Sequence, residues 1–138
     1  MIKLLINTLF LTGPFCMAST LPAQTSAQHA YQTVHMDELQ SWYAQDKEMI
    51  LLDARGDSFN GTLLPKGIWM PYNASDEAIE KALPSKDALI VVYCANPTCP
   101  VSDMLSERLI NLGYSNVYKF PEGIKEWVSL GLPTIQAN

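Results

Sequence analysis

The sequence predicts an α/β fold in which a mainly parallel central sheet is flanked by helices. Apolar runs of strand length alternate with segments whose apolar residues recur at helical spacing. The most apolar run, 88–93, carries no charged residue, as expected for a strand covered on both faces of a parallel sheet. A chain of 138 residues is long enough for one domain with a core and too short for two ordinary domains.

The first half of the predicted domain contains three strands and two helices. We expect a short strand at 33–34, a helix over 37–44, a strand at 49–52, an irregular loop at 61–67 and a short strand at 68–70. Ser75 is a favourable N-cap for the second helix, whose first turn carries Asp76 and Glu77 where the helix dipole favours negative charge. Pro84 follows the expected end of that helix.

The second half begins with the strand at 88–93, which we expect at the centre of the sheet. A helix follows the next loop, and its expected core residues are Val101, Met104, Leu105, Leu109 and Leu112. Gly113 is placed to cap that helix. A strand at 117–120 and a last helix at 123–130 complete the pattern.

The N-terminal segment has a different composition from the rest of the chain. Residues 4–36 contain no Asp, Glu, Lys or Arg, and Lys3 precedes a short apolar run at 4–11. This pattern predicts a signal peptide at 1–23, cleaved near Ala18 or Ala23, then a linker at 24–32 and the domain at 33–134. We therefore expect secretion across the inner membrane into the periplasm. An uncleaved membrane anchor and a lipid on Cys16 are the alternatives, and membrane contact is expected only if the segment is retained.

The composition excludes several classes of function. A net charge of −5 disfavours binding to a phosphate backbone, so no nucleic-acid partner is expected. Three cysteines at this spacing match neither a disulfide scaffold nor a zinc site, and no metal site is predicted. Cleavage would leave only Cys94 and Cys99, in an oxidising compartment where thiols tend to pair.

Cys94 is the candidate nucleophile because it lies where the most apolar strand meets a loop and then a helix. Backbone N–H groups of such a loop and the positive end of the helix dipole both favour a thiolate. The alternative is a buried, inert cysteine at a strand end. Asp53 and Arg55 end an earlier strand, and we expect Asp53 to accept N–H groups and pair with Arg55 as structural support.

Several segments, in order, resemble the rhodanese-like (sulfurtransferase) family over about residues 33–133. They are 51–55, which resembles the family's strand-end Asp-x-Arg; 61–71, which is similar to its Gly-His-Ile-Pro-Gly-Ala segment; 91–94, which resembles the strand leading into the catalytic cysteine; and 112–118 with 123–127, which resemble its closing third.

The resemblance implies a three-layer rhodanese-like fold and a persulfide mechanism. Cys94 would take a sulfane sulfur from a small donor and pass it to a thiol or protein acceptor. The implied substrate-binding loop consists of Ala95, Asn96, Pro97, Thr98 and Cys99. The mechanism implies no metal and no organic cofactor, and we expect a monomer.

The loop departs from the family's pattern in three ways. Residues 95–101 contain no basic residue to hold an anionic donor such as thiosulfate. Pro100 and Val101 stand where a related phosphatase branch has a phosphate-binding arginine, which argues against phosphatase activity. Cys99 is an additional cysteine that could resolve a persulfide or sulfenic acid on Cys94 by forming a disulfide.

Three functions are therefore consistent with the sequence. The first is a sulfurtransferase that carries sulfur on Cys94. The second is a thiol–disulfide redox protein that uses the pair Cys94 and Cys99. The third is a catalytically silent rhodanese-like module that binds a partner or an anion through its loop.

Overall fold

The computed structural model describes residues 31–138. The signal peptide predicted for 1–23 and positions 24–30 of the predicted linker lie outside the described residues. The elements are β1 (Gln32–Thr33), α1 (Met36–Ala44), β2 (Ile50–Asp53), β3 (Thr62–Leu63), β4 (Gly67–Trp69), α2 (Asp76–Ala82), β5 (Ile90–Tyr93), α3 (Val101–Asn111), β6 (Val117–Phe120), α4 (Gly123–Ser129) and β7 (Ile135–Gln136). Among residues 31–138, no helix combines the length and the apolar character needed to cross a membrane.

Five strands form a central sheet in the order β1-β6-β5-β2-β4, and every pairing in it is parallel. This confirms the predicted α/β fold and the central position of β5. The register aligns Tyr93 with Asp53 on one side and with Phe120 on the other. The carboxyl ends of β2, β5 and β6 therefore lie at the same edge of the sheet, and the residues that follow these strands meet there.

Four helices cover the two faces of this sheet and give the fold three layers. One core cluster joins α1 and α4 to one face, through Leu39 and Trp127 among others. The other cluster joins α2 and α3 to the opposite face, through Ile79 and Leu105 among others. Successive residues of β5 contribute to opposite clusters because side chains alternate across a strand, which explains why the whole strand is buried and apolar.

The predicted helix cap at Ser75 is present. Its backbone is extended, and its hydroxyl accepts a hydrogen bond from the N–H of Ala78 at 3.2 Å. Asp76 and Glu77 lie in the first turn of α2, next to the N–H groups that have no intrahelical partner. The local sequence therefore accounts for where this helix begins.

Two expectations about the fold are wrong. The segment 61–67 is not wholly irregular, because β3 within it pairs antiparallel with β7, a strand that the sequence analysis did not predict. Each of these strands has only two residues, too few to show a periodicity. Met104 was expected in the core and is 49% exposed. Leu105 and Leu109 are buried as expected, and the other buried residues of α3 are Ser102 and Ser106.

Candidate active site

Cys94 directly follows the central strand β5 and lies at the edge of the sheet where β2 and β6 also end. Its relative exposure is 2%. Its carbonyl oxygen accepts a hydrogen bond from the N–H of Ile124 at 3.0 Å, and the carbonyl of Ala95 accepts one from Lys125 at 3.0 Å. The first N–H groups of a helix have no intrahelical acceptor, so α4 uses two of them to hold the cysteine loop.

Gly123 makes this close contact between α4 and the loop possible. It has a φ of +72°, and a Cβ atom there would lie 2.6 Å from the carbonyl oxygen of Cys94 and 2.8 Å from the carbonyl carbon and oxygen of Ala95. All of these atoms belong to the backbone, so no side chain can rotate away to make room. Only glycine fits at this position without a shift of the loop or the helix.

Cys94 and Cys99 are joined by a disulfide, with their Cα atoms 6.2 Å apart. This separation lies in the usual range for disulfides. The loop folds back through Asn96, whose side-chain oxygen accepts hydrogen bonds from the N–H of Thr98 at 3.1 Å and from its hydroxyl at 2.8 Å. The Asn96 carbonyl accepts the N–H of Cys99 at 3.2 Å. This turn brings together the two cysteines that the sequence analysis singled out.

The disulfide also places the sulfur of Cys94 near the start of α3. Cys99 immediately precedes Pro100, the N-cap of that helix. The positive end of the α3 dipole therefore lies next to the cysteine loop.

A cavity of about 410 Å³ adjoins the loop at Ala95, the residue after Cys94. Its other lining residues come from distant parts of the chain, namely Arg55, Ser58, Asn60, Thr62, Ile124, Lys125 and Val128. It therefore forms between the segment that follows β2 and the exposed side of α4. A small substrate in this cavity would lie beside the cysteine loop.

Arg55 and Asp53 form a buried ion pair at the edge of this cavity. The Arg55 guanidinium donates to Asp53 at 2.6 Å and 2.9 Å, and the backbone N–H of Arg55 donates to the same carboxylate at 3.0 Å. The guanidinium also donates to the carbonyl of Thr62 at 2.6 Å, which fixes the segment that contains β3. Asp53 neutralises the charge of Arg55, so this pair supports the wall of the cavity.

Lys125 supplies the positive charge that the loop itself lacks. It is exposed, lines the cavity, and makes no ion pair with any residue between 31 and 138. Sequence reasoning missed it because it searched for cations within 95–101, whereas Lys125 is brought to the site by α4. Lys125 directly follows Gly123 and Ile124, a pair that the family resemblance already includes, and this position is the sequence signal that could have identified Lys125 as a residue near the site.

A second cavity beside the loop contains carboxylates as well as Lys125. Its volume is about 510 Å³, and it is lined by Asn96, Pro97, Glu122, Lys125 and Glu126, among others. One carboxylate oxygen of Glu122 lies 2.8 Å from Nδ1 of His35, and its other oxygen has no hydrogen-bond partner among the described residues. Lys125 lines both cavities, but within residues 31–138 only the second is also lined by carboxylates, so an anionic substrate is favoured in the first.

Tyr93 connects the strand before the cysteine to the segment that contains β3. It is fully buried, and its hydroxyl oxygen accepts the N–H of Leu64 at 3.1 Å. Burial raises the pKa of Tyr93 well above its usual value, and the nearby charge of Asp53 adds to this shift. The hydroxyl therefore stays neutral over the physiological range and holds the cavity wall against β5.

The domain as a whole can be compared with known proteins on the basis of this architecture. The family model described as "Rhodanese-like domain" matches residues 35–130, which is more than half of the chain. The chain belongs to the rhodanese-like domain family. No curated protein matches the chain significantly.

Solved structures share the fold of this rhodanese-like domain. The BH2092 protein of Bacillus halodurans is 23% identical with a TM-score of 0.68, over 78% of this chain and 77% of that one. A rhodanese-related protein of Thermoplasma volcanium is 23% identical with a TM-score of 0.58, over 76% of this chain and 98% of that one. A thiosulfate sulfurtransferase of Pseudomonas aeruginosa is 23% identical with a TM-score of 0.65, over 78% of this chain but only 21% of that one. At these identities the likeness concerns the fold alone.

Proposed function

We propose that this rhodanese-like domain is a sulfurtransferase that carries sulfane sulfur as a persulfide on Cys94. One observation carries the proposal: Cys94 lies at the carboxyl end of the central parallel strand, directly before the loop that leads to the N-terminus of α3. In α/β sheets, ligands bind at this edge, outside the carboxyl ends of the strands. Membership of the family supports the same assignment.

The reaction begins from the reduced form of the protein. A thiol reductant first opens the Cys94–Cys99 disulfide. The Cys94 thiolate then attacks the sulfane sulfur of the donor, and the rest of the donor leaves with the electron pair of the broken bond. An acceptor thiolate attacks the outer sulfur of the persulfide, takes that sulfur, and regenerates the Cys94 thiolate.

The cavity beside Ala95 is the proposed donor site. Lys125 lines this cavity, no Asp or Glu among the described residues does, and Asp53 already neutralises Arg55. The second cavity is lined by Glu122 and Glu126 as well as Lys125, so an anionic donor such as thiosulfate is favoured in the first. The exposed position of Lys125 implies a contribution of about 1 kcal/mol or less, because solvent and salt screen its charge.

Intact-mass measurement of two variants, each with one cysteine replaced, tests the assignment of Cys94. Reduced Cys99→Ser, which cannot form the disulfide, is expected to gain the mass of one sulfur atom when it is mixed with thiosulfate or with glutathione persulfide. Reduced Cys94→Ser is expected to gain none under the same conditions. Equal gain by both variants, or no gain by either, would contradict the proposal.

The disulfide favours a second candidate function, a thiol–disulfide redox protein that uses Cys94 and Cys99. Such a protein exchanges its disulfide reversibly with dithiols, and its loop places the two sulfurs in bonding contact. The wild-type protein would then oxidise a reduced, unfolded test protein faster than Cys99→Ser does. A disulfide that stays closed in graded mixtures of oxidised and reduced dithiothreitol would rule this function out.

We further propose that the protein acts in the periplasm after removal of residues 1–23. The basis is the positive charge of Lys3, the short apolar run that follows it and the small residues near Ala18 and Ala23. An oxidising compartment also favours the disulfide between Cys94 and Cys99 while the protein is not turning over. The mass of the protein recovered from a periplasmic extract would reveal the cleavage position, and recovery of the full-length chain in the cytoplasm would contradict this location.

A further inference from the structure

Cys99 has no role in the transfer cycle described above, yet the structure bonds it to the sulfur that performs that cycle. The two cysteines belong to the same loop, and the turn at Asn96 folds that loop back on itself. Cys99 therefore reaches Cys94 with no movement of a second element. A thiol held in this way acts at an effective concentration that an external thiol at millimolar concentration rarely matches.

The burial of Cys94 adds to this advantage. Its relative exposure is 2%, and α4 contacts the backbone on the far side of the loop through Ile124 and Lys125. An external acceptor reaches the outer sulfur of a persulfide, which extends beyond Cys94. The inner sulfur, which is the Sγ of Cys94 itself, is accessible to Cys99 because the disulfide is a bond to that atom.

We propose that Cys99 resolves the Cys94 persulfide and releases hydrogen sulfide. The Cys99 thiolate attacks Sγ of Cys94, the bond between Sγ and the outer sulfur breaks, and the outer sulfur leaves as hydrosulfide with that electron pair. The new bond is the Cys94–Cys99 disulfide of the structure. This step rests on the proposed function, because it requires a persulfide on Cys94.

The electrons of this step balance without a further reactant. The sulfane sulfur is reduced by two electrons to sulfide, and the two cysteine sulfurs are oxidised to a disulfide. One proton, from the Cys99 thiol, accompanies the hydrosulfide. The oxidised protein cannot accept another sulfur atom until its disulfide is reduced by two electrons. The reaction that follows must therefore belong to the class of dithiol–disulfide exchange.

The step also gives the disulfide a place in the cycle. A sulfane donor consumes the reduced protein, and a dithiol such as a reduced oxidoreductase consumes the oxidised protein. External acceptors would compete with Cys99 for the persulfide. The partition between transfer and release would therefore depend on how fast an acceptor arrives.

A single-turnover experiment on the full chain tests this step. Wild-type protein is reduced, freed of reductant, and mixed with thiosulfate in one arm and glutathione persulfide in the other. We expect one sulfide released per protein, loss of the alkylatable thiols of Cys94 and Cys99 but not of Cys16, and no further release until dithiothreitol is added. The same treatment of Cys99→Ser is expected to leave one sulfur bound to Cys94 and to reduce sulfide release at least tenfold.

A second variant and a positioning variant protect the test against a folding defect. Cys99→Ala is expected to behave as Cys99→Ser does. Asn96→Ala removes the acceptor that bends the loop, so the ratio of its sulfide-release rate to its sulfur-uptake rate should fall several-fold below that of the wild-type protein. Far-UV circular dichroism before each reaction establishes that the variants are folded.

The outcomes separate the two proposals. If Cys99→Ser binds sulfur and the wild-type protein also retains it with Cys99 still open to alkylation, the resolving step is wrong and the sulfurtransferase proposal stands. If wild-type protein and Cys99→Ser release sulfide equally fast, the resolving step is likewise wrong. If neither Cys99 variant binds sulfur from either donor, both proposals fail.

Discussion

Substitution of Gly123 by alanine tests the contact on which the shape of the cysteine loop depends. The new Cβ would lie 2.6 Å from the carbonyl oxygen of Cys94, at a position whose φ is +72°. A left-handed conformation costs a residue with a Cβ about 1–2 kcal/mol. Overpacking that forces the backbone to shift costs about 1–3 kcal/mol more. We therefore expect Gly123→Ala to lower the free energy of unfolding by about 2–5 kcal/mol.

Gly131 offers a matched control. Its φ is +69°, and a Cβ atom there would meet no atom within 4 Å. Gly131→Ala therefore carries the cost of the left-handed conformation without the clash. The effect of alanine on the unfolded chain is the same in both variants and cancels in their difference. The close contact alone should account for a difference of about 1–3 kcal/mol.

Urea unfolding followed by tryptophan fluorescence measures this difference. With a slope of about 1–3 kcal/mol per molar urea, the two midpoints should differ by about 1 M. A second measurement follows the alkylation of Cys94 in the reduced proteins, which should be faster in Gly123→Ala because the loop must move to admit the Cβ. Equal midpoints and equal alkylation rates for the two variants would refute the reasoning.

Three further substitutions test the wall of the cavity and its charge. Asp53→Asn leaves the buried guanidinium of Arg55 without its counter-ion and should lower the free energy of unfolding by about 3–5 kcal/mol, measured by urea unfolding. As a control, Lys66→Met breaks an exposed ion pair and should lower it by less than about 1 kcal/mol. Equal losses would contradict the role of the buried pair as support for the cavity wall. Because burial raises the pKa of Tyr93, this residue makes its full contribution to the free energy of unfolding below about pH 10. Above about pH 10 the tyrosine ionises in the unfolded chain but not in the folded protein, so its contribution falls by about 1.4 kcal/mol per pH unit. Tyr93→Phe should therefore make the fall of unfolding free energy with pH less steep, as measured by urea unfolding between pH 9 and pH 11. An unchanged slope would contradict the raised pKa of Tyr93. Lys125→Met should raise the KM for thiosulfate about two- to fivefold at low salt and less at high salt. Lys81→Met on α2 should leave this KM unchanged, and equal effects of the two substitutions would argue against a local charge at the site.

The sequence was sufficient for the elements whose signals are local. The apolar run before Cys94 predicted the buried central strand, because only a strand covered on both faces consists of apolar residues without alternation. Ser75 predicted the start of α2, because a hydroxyl at the N-cap serves the N–H groups of the following turn. The two-residue strands β3 and β7 carry no such signal, since each exists only through its pairing with the other.

Helix faces were predicted less well than helix positions. The spacing in α3 placed Met104 among the core residues, but its side chain is 49% exposed. Two serines, Ser102 and Ser106, take buried positions on this helix instead. The inward face of a helix is set by the elements it packs against, and a mixed pattern of apolar and small residues leaves that direction undetermined.

The sequence by itself determined the parallel α/β architecture, the position of Cys94 at the end of the central strand and the presence of Cys99 in the same loop. Only the tertiary structure decided which groups surround that loop. The register of β2, β5 and β6 brings three distant chain segments to one edge of the sheet, and Gly123 lets α4 approach the loop closely enough to place Lys125 beside it. Composition within a loop describes only the charge that the loop carries, whereas the field at a sulfur atom depends on every charge that folding brings near it.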